Sequence, residues 1–379
     1  MSWPQVNIDQ KNQLQGETKE IERAVLVIGS GKVNAGKTLA VNTQTDFDVL
    51  LGPDASAVKH CTKAAMLNAG QNWNGFVHVL AEPAKNAELD PLAWVAAVRA
   101  AQQVASVEGV VVVLPTDKAT ITAAASLRAE LLAKFGRWVW FVLAVDGPQA
   151  EEGWPEYLAR LAALQQGVAA SAVQLVPRLW GNEPGVLAGR LCNRAVTIAD
   201  SPARVATGPL LEMGSDTQPV DGKGVALDLA TLQALETLRY SVPMWYPDYD
   251  GMYWSDGRTL DVEGGDYQAI ESLRIVDKAA RRIRLQAIAK IADRSLNSSP
   301  GSIAAHKTYF SKVLREMAKS TQINGITFPG EVKPPQEGDV VITWRTATKV
   351  EIYIVVRPYE CPKGITVSLM LDTTLENSQ

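Results

Sequence analysis

The octapeptide Gly31-Lys-Val-Asn-Ala-Gly36-Lys37-Thr38 carries the glycine, lysine and threonine spacing of a phosphate-binding loop and follows an apolar strand pattern. Such a loop works because its amides cradle phosphates, its lysine reaches the outer oxygens, and its threonine holds magnesium at the start of a helix. The helix is therefore part of the chemistry. After Thr38 the chain continues Leu-Ala-Val-Asn-Thr-Gln-Thr-Asp46, β-branched and turn-forming residues without a helical stripe. Asp146, at the end of an apolar strand, and Asp117 are the available magnesium-side carboxylates, but strands ending at Asp are also strands ending in turns. The reading is a Gly-rich turn between two strands, with no cofactor; nucleotide binding through Gly31, Gly36, Lys37 and Thr38 is the alternative.

Little else in the chain has the types or spacing for catalysis. His60, His78 and His306 have no Cys, Asp or Glu at ligand or triad spacing, and no Gly-x-Ser-x-Gly elbow occurs. Cys61, Cys192 and Cys361 are far apart and odd in number, which argues against a disulfide framework and fits a reducing compartment. No metal site and no enzymatic activity are expected. Arg274, Lys278 and Arg281 fall at i, i+4 and i+7 of a helical pattern, a basic stripe that reads as a solvated helix face or, more sharply, as a dock for an acidic partner surface. Aromatic residues are not interleaved with these charges as single-strand binding would need, and 37 basic against 41 acidic side chains give no global pull toward nucleic acid. No segment has the long apolar run of a membrane span, and the first residues lack the basic and apolar regions of a secretory signal, so the chain is expected to fold in a cytoplasm.

The elements that would position these residues divide the 379-residue chain. Residues 1–20 are polar, with four Gln, and read as an arm outside the core. From 24 to 176, runs such as Val110-Val-Val-Val-Leu114 and Trp138-Val-Trp-Phe-Val-Leu-Ala-Val145 alternate with Ala-rich helical patterns near 54–69, 91–105, 118–135 and 156–166. Continuous apolar strands between helices predict an α/β layer with a largely parallel sheet covered on both faces. A Pro- and Gly-rich stretch over 197–224 suggests a boundary near residue 210, followed by a helix at 228–239 and an aromatic hairpin around Pro247–Gly251. The longest helix is expected over 267–295, with Ile270, Leu273, Val276, Ala280, Ile283, Ala287 and Ile291 on one stripe, and another near 302–319. Residues 350–356 alternate with period two, and Ile365, Val367, Leu369 and Leu371 form a final alternating strand.

The runs Asp266-Tyr-Gln-Ala-Ile-Glu-Ser-Leu-Arg-Ile-Val-Asp-Lys-Ala-Ala-Arg-Arg-Ile-Arg284, Asn297-Ser-Ser-Pro-Gly-Ser-Ile303 and Ile352-Tyr-Ile-Val-Val-Arg-Pro358 resemble contractile tail sheath proteins of phages and related particles. Thr45-Asp-Phe-Asp-Val-Leu-Leu-Gly52, Pro184-Gly-Val-Leu-Ala-Gly-Arg190 and Ser201-Pro-Ala203 extend the resemblance into the first half. The resemblance implies an N-terminal arm (1–20), an inserted outer α/β domain (21–210), an inner α+β domain (211–364) and a C-terminal strand for subunit exchange (365–379). It implies a structural subunit of the virion tail or a phage-tail-like particle: a homo-oligomer of stacked, hexameric rings around a tail tube, with baseplate and terminator partners and no direct nucleic-acid or membrane contact. In this setting Ile365, Val367, Leu369 and Leu371 are the expected intersubunit strand, and Arg274, Lys278 and Arg281 the expected tube contact.

Overall fold

The computed structural model describes residues 21–83 and 90–370. Six strands form the main sheet: β1 (Val25–Gly31), β2 (Thr38–Asn42), β3 (Asn74–Ala81), β4 (Gly109–Val112), β5 (Trp140–Asp146) and β6 (Val173–Arg178), in the order β2-β3-β1-β4-β5-β6. All neighbours are parallel except β2, which runs antiparallel to β3 on one edge. Without β2, the order is that of a doubly wound sheet whose first strand has a neighbour on either side.

Alternate residues of each strand enter different cores. Leu26, Ile28, Val110, Val112, Phe141 and Leu143 face one layer, while Val25, Val27, Val111, Trp140 and Val142 face the other. Both faces exclude water, which is why these strands read as unbroken Val, Leu and aromatic runs. One layer is built from α3 (Ala93–Val104), α4 (Lys118–Phe135), α5 (Trp154–Gln165) and α7 (Leu229–Thr237). The opposite layer contains α1 (Phe47–Leu51), α2 (Ala57–Ala69) and α6 (Glu183–Cys192).

All ten residues of α6 are buried. Gly185 and Gly189, one turn apart, allow its backbone onto α2: a Cβ on Gly185 would lie 2.1 Å from the Cys61 carbonyl oxygen, and one on Gly189 would lie 2.5 Å from that of Ala65. The Glu183 carboxylate accepts backbone N–H bonds from Leu179 (2.6 Å), Trp180 (2.5 Å) and Gly181 (2.8 Å), satisfying the loop that enters the helix.

The boundary expected near residue 210 does not coincide with the packing. Leu210, Met213, Trp254, Ile270 and Leu273 belong to one sheet core, and Leu227, Leu232, Tyr240 and Leu260 to the other. The loop-rich stretch after 197 crosses the same body because its few apolar residues are inserted into cores already formed. The aromatic hairpin is present as β7 (Pro243–Tyr246) and β8 (Tyr249–Trp254), turning tightly at Pro247-Asp248.

The long helix α8 (Ile270–Ile288) starts in this body and leaves it. Ile275 and Ala279 pack with Val313, Leu314 and Met317 of α9 (Pro300–Met317), and Ile283 and Ala287 lie against Phe310 and the hairpin β11–β12 (Val340–Thr346 and Lys349–Ile354). A smaller hairpin, β9–β10 (Thr321–Ile323 and Ile326–Phe328), follows α9. Of the predicted stripe, Ile270 and Leu273 enter a sheet core and Ile283 and Ala287 lie against the hairpin core, but between them Ile275 and Ala279 are the packed residues rather than Val276 and Ala280, and Ile291 lies beyond the helix and is 75% exposed.

Candidate functional site

The loop matching the phosphate-binding pattern joins β1 to β2. Its backbone is already paired: Gly36 N–H donates to Val79 O at 2.7 Å, and Val79 N–H donates to Lys37 O at 3.3 Å. Thr38 opens a strand, with its Oγ1 2.8 Å from His78 Nδ1, and Lys37 Nζ sits 3.3 Å from Asn34 Oδ1. A nucleotide loop needs several free amides converging at a helix N-terminus. At the carboxyl end of β1, where doubly wound sheets take their ligands, this chain turns back as an antiparallel strand. The turn reading holds, and the nucleotide alternative lacks its helix. Asp117 caps α4, accepting from Thr120 N at 2.7 Å and Thr120 Oγ1 at 2.8 Å.

Cys61 and Cys192 are buried in the sheet core, whereas Cys361 is exposed. Burial pushes the Cys61 and Cys192 thiols up to about 12, so neither offers a thiolate at neutral pH. Among the described residues no three of His, Cys, Asp and Glu gather as metal ligands, and no helix is long and apolar enough to cross a membrane.

The basic stripe of α8 points inward. Arg274, 2% exposed, forms a bidentate pair with Glu108, each N–O distance 2.8 Å; Arg23 N–H adds a third bond of 2.8 Å to the same carboxylate. Lys278 Nζ meets Glu331 at 2.6 Å, and Arg281 meets Glu22 at 2.8 Å. Asp277 of the same helix takes Arg128 of α4 at 2.8 Å. Burial alone would raise Glu108, but the attraction and hydrogen bonds of Arg274, with Arg281 behind it, bring it down to about 2. The first half of α8 is thus wrapped by the sheet, α4 and the segment leading into β1. Every buried charge there needs a partner, and the subunit supplies one. A tube contact through Arg274, Lys278 and Arg281 would require those pairs to open. The cationic side chains of this region that remain exposed are Arg282, Arg284 and Arg294, beside Leu285 (66% exposed), Ile288 (45%) and Ile291 (75%).

Neither Glu22, Glu108, Arg128 nor Glu331 drew attention in the sequence, because an isolated acid or base beside a Val run carries no periodic signal. The i, i+4, i+7 spacing located the basic face of α8 but not what covers it.

At the C-terminus the described chain leaves the body. Ile365, Val367 and Leu369 are 80%, 73% and 91% exposed, and residues 364–370 form no strand within the subunit. Leu371, the rest of the expected exchange strand and the N-terminal arm 1–20 lie outside the described residues. An alternating apolar segment held in water is the feature of this molecule that most needs a partner.

Two family models, the DUF2586 N-terminal domain over residues 3–258 and the DUF2586 C-terminal domain over 266–374, match the chain. A protein of Haemophilus phage HP1 named as a tail sheath protein is 54% identical over 376 residues, covering 98% of each chain. This chain belongs to the phage tail sheath family. Two solved sheath tail proteins share the fold at low identity. The one from Desulfitobacterium hafniense has a TM-score of 0.53 and 11% identity, covering 93% of this chain and 96% of its own. The one from Listeria innocua has a TM-score of 0.52 and 9% identity, covering 91% and 93%. The sheath boundary drawn by the family models, between 258 and 266, falls just before α8.

Proposed function

We propose that copies of this sheath subunit stack as hexameric rings around a tail tube, forming an extended sheath whose contraction drives the tube through a target envelope. Assembly occurs in the host cytoplasm, against baseplate and terminator proteins. The observation that carries this reading is the segment 364–370, whose Ile365, Val367 and Leu369 are exposed and form no strand with the described residues. Added to a sheet edge of a neighbour, with Leu371 continuing the alternation, the segment satisfies its backbone and buries these side chains. A candidate receiver is the two-stranded β11–β12 hairpin, which has no third strand among the described residues. Residues 1–20 act as the second connector.

In this arrangement the C-terminal unit around α8, α9 and β11–β12 lies near the tube and the sheet domain faces outward. Tube attachment falls to the exposed end of α8, where Arg282, Arg284 and Arg294 flank Leu285, Ile288 and Ile291, rather than to the inward Arg274, Lys278 and Arg281. Contraction needs no nucleotide: energy stored at assembly is released when a trigger at the baseplate switches interfaces ring by ring.

Electron microscopy of the purified protein tests the reading. Wild type is expected to form regular tubes, and deletion of residues 365–379 to leave folded subunits that do not polymerise. Regular tubes from the truncated chain would refute the connector role.

A further inference from the structure

The C-terminal segment does not drift away directly after β12. Val332 and Pro358 form a bridge, Lys333 N–H donates to Arg357 O at 2.7 Å, and the side chains of Arg357 and Asp339 are paired. Glu360 meets Lys333. The chain then crosses back to the body, where Lys363 reaches two carboxylates: Asp256, beyond the end of β8, and Glu271 in the first turn of α8, the latter at 2.9 Å. Side-chain exposure is 29% for Lys363, 13% for Asp256 and 8% for Glu271. One cation therefore serves two largely buried acids, meeting Glu271 at Oε1, while Glu271 Oε2 has no hydrogen-bond partner among the described residues. Burial raises the Glu271 carboxyl, and its Lys363 neighbour opposes that rise. From Gly364 to Met370 no residue makes a hydrogen bond or ion pair to another described residue, and Leu369 and Met370 are 91% and 95% exposed.

We infer that Lys363 is the tether that fixes where the C-terminal arm leaves the subunit, clasping Asp256 and Glu271 so that a pull on the arm is delivered to the first turn of α8. The inference rests on the arm being a connector, and it adds the point of attachment and the direction of load. Without the clasp, the free length of the arm would begin near Pro358, and force would fall on the exposed β11–β12 hairpin. With it, force enters where Ile270 and Leu273 are packed into the sheet core. Arg274, one turn further along α8, is paired to Glu108 of the sheet body, so the load is passed on without bending the helix.

The test uses the full-length subunit with Lys363→Met, Lys363→Arg, and Lys363→Met combined with Asp256→Asn and Glu271→Gln. The triple variant removes the charges that the single Met variant strands, so it separates loss of the tether from misfolding. Chymotrypsin cleavage after Tyr359 and after Leu369 is followed by mass spectrometry. Wild type and Lys363→Arg should be cut at Leu369 and resist at Tyr359. The Met and triple variants should be cut at Tyr359 roughly tenfold faster, the signature of a locally opened segment. Tyr359 cleavage within about twofold of wild type in the folded triple variant would overturn the tether. Tubes from the chain lacking 365–379 would refute the connector reading instead, whatever the cleavage pattern. If that truncation abolishes tubes, folded Lys363 variants should form tubes with irregular subunit spacing, and wild-type regularity would remove the load-transfer role.

Discussion

Replacing Arg274 with Met strands Glu108, a buried carboxylate just before β4 that keeps a hydrogen bond from the Arg23 amide but loses its bidentate partner. Removing one partner of such a pair costs about 3–5 kcal/mol, because the surviving charge is desolvated and uncompensated. For 379 residues at about 2.1 cal/mol/K of unfolding entropy each, one kcal/mol moves Tm by roughly 1.3 °C, so the expected loss is about 4–6 °C by calorimetry or circular dichroism. Glu108→Leu together with Arg274→Met removes both charges and should recover most of that loss. A residue of about 1 kcal/mol should remain, since the Arg23 amide then lacks its acceptor. The pH dependence has a defined sign. Folded Glu108 is held at about 2 against an ordinary value of 4.5. Its contribution is complete above about pH 4.5 and declines as pH falls from there toward 2, because the unfolded chain takes up the proton first. In Arg274→Met, burial acts on Glu108 without its main counter-charge, so the folded variant accepts a proton readily. The Tm gap between wild type and variant should therefore narrow on acidification. A shift below about 2 °C at neutral pH, or a double variant no better than the single, would refute the view that this pair locks α8 to the sheet.

Gly185→Ala should destabilise the subunit by about 1–3 kcal/mol, since the added methyl meets the Cys61 carbonyl of α2 at 2.1 Å and the two helices must separate; chemical denaturation measures it. Lys37→Ala should leave nucleotide affinity unchanged from a wild type that shows none by calorimetric titration, with stability altered by no more than about 0.5 kcal/mol. Leu285→Ser with Ile288→Ser and Ile291→Ser should keep the fold, as these side chains are 66%, 45% and 75% exposed, while co-sedimentation with tube protein falls at least about tenfold.

The α/β class was readable from residues alone because it depends on local pattern. Val and Leu runs between Ala-rich helices can be buried on both sides in few ways, and α4 spans the 118–135 that its Ala-rich pattern predicts. The absence of a helix after Thr38 was equally local, since β-branched and turn-forming residues follow it, and Thr38 opens β2. The same local pattern located α8 and its basic spacing, but the direction of those charges was decided by segments far away in sequence. Glu108 is 166 residues from Arg274, and Glu22 is 259 from Arg281. Helical periodicity reports which side chains share a face; whether water or a carboxylate waits there depends on how distant elements pack, and no spacing rule encodes that. The stretch around residue 210 shows the same limit, since a Pro- and Gly-rich composition marks a loop without saying which core its few apolar residues enter. The return of Lys363 to Asp256 and Glu271 was likewise invisible until the tertiary structure brought the segment after β12 back against the start of α8.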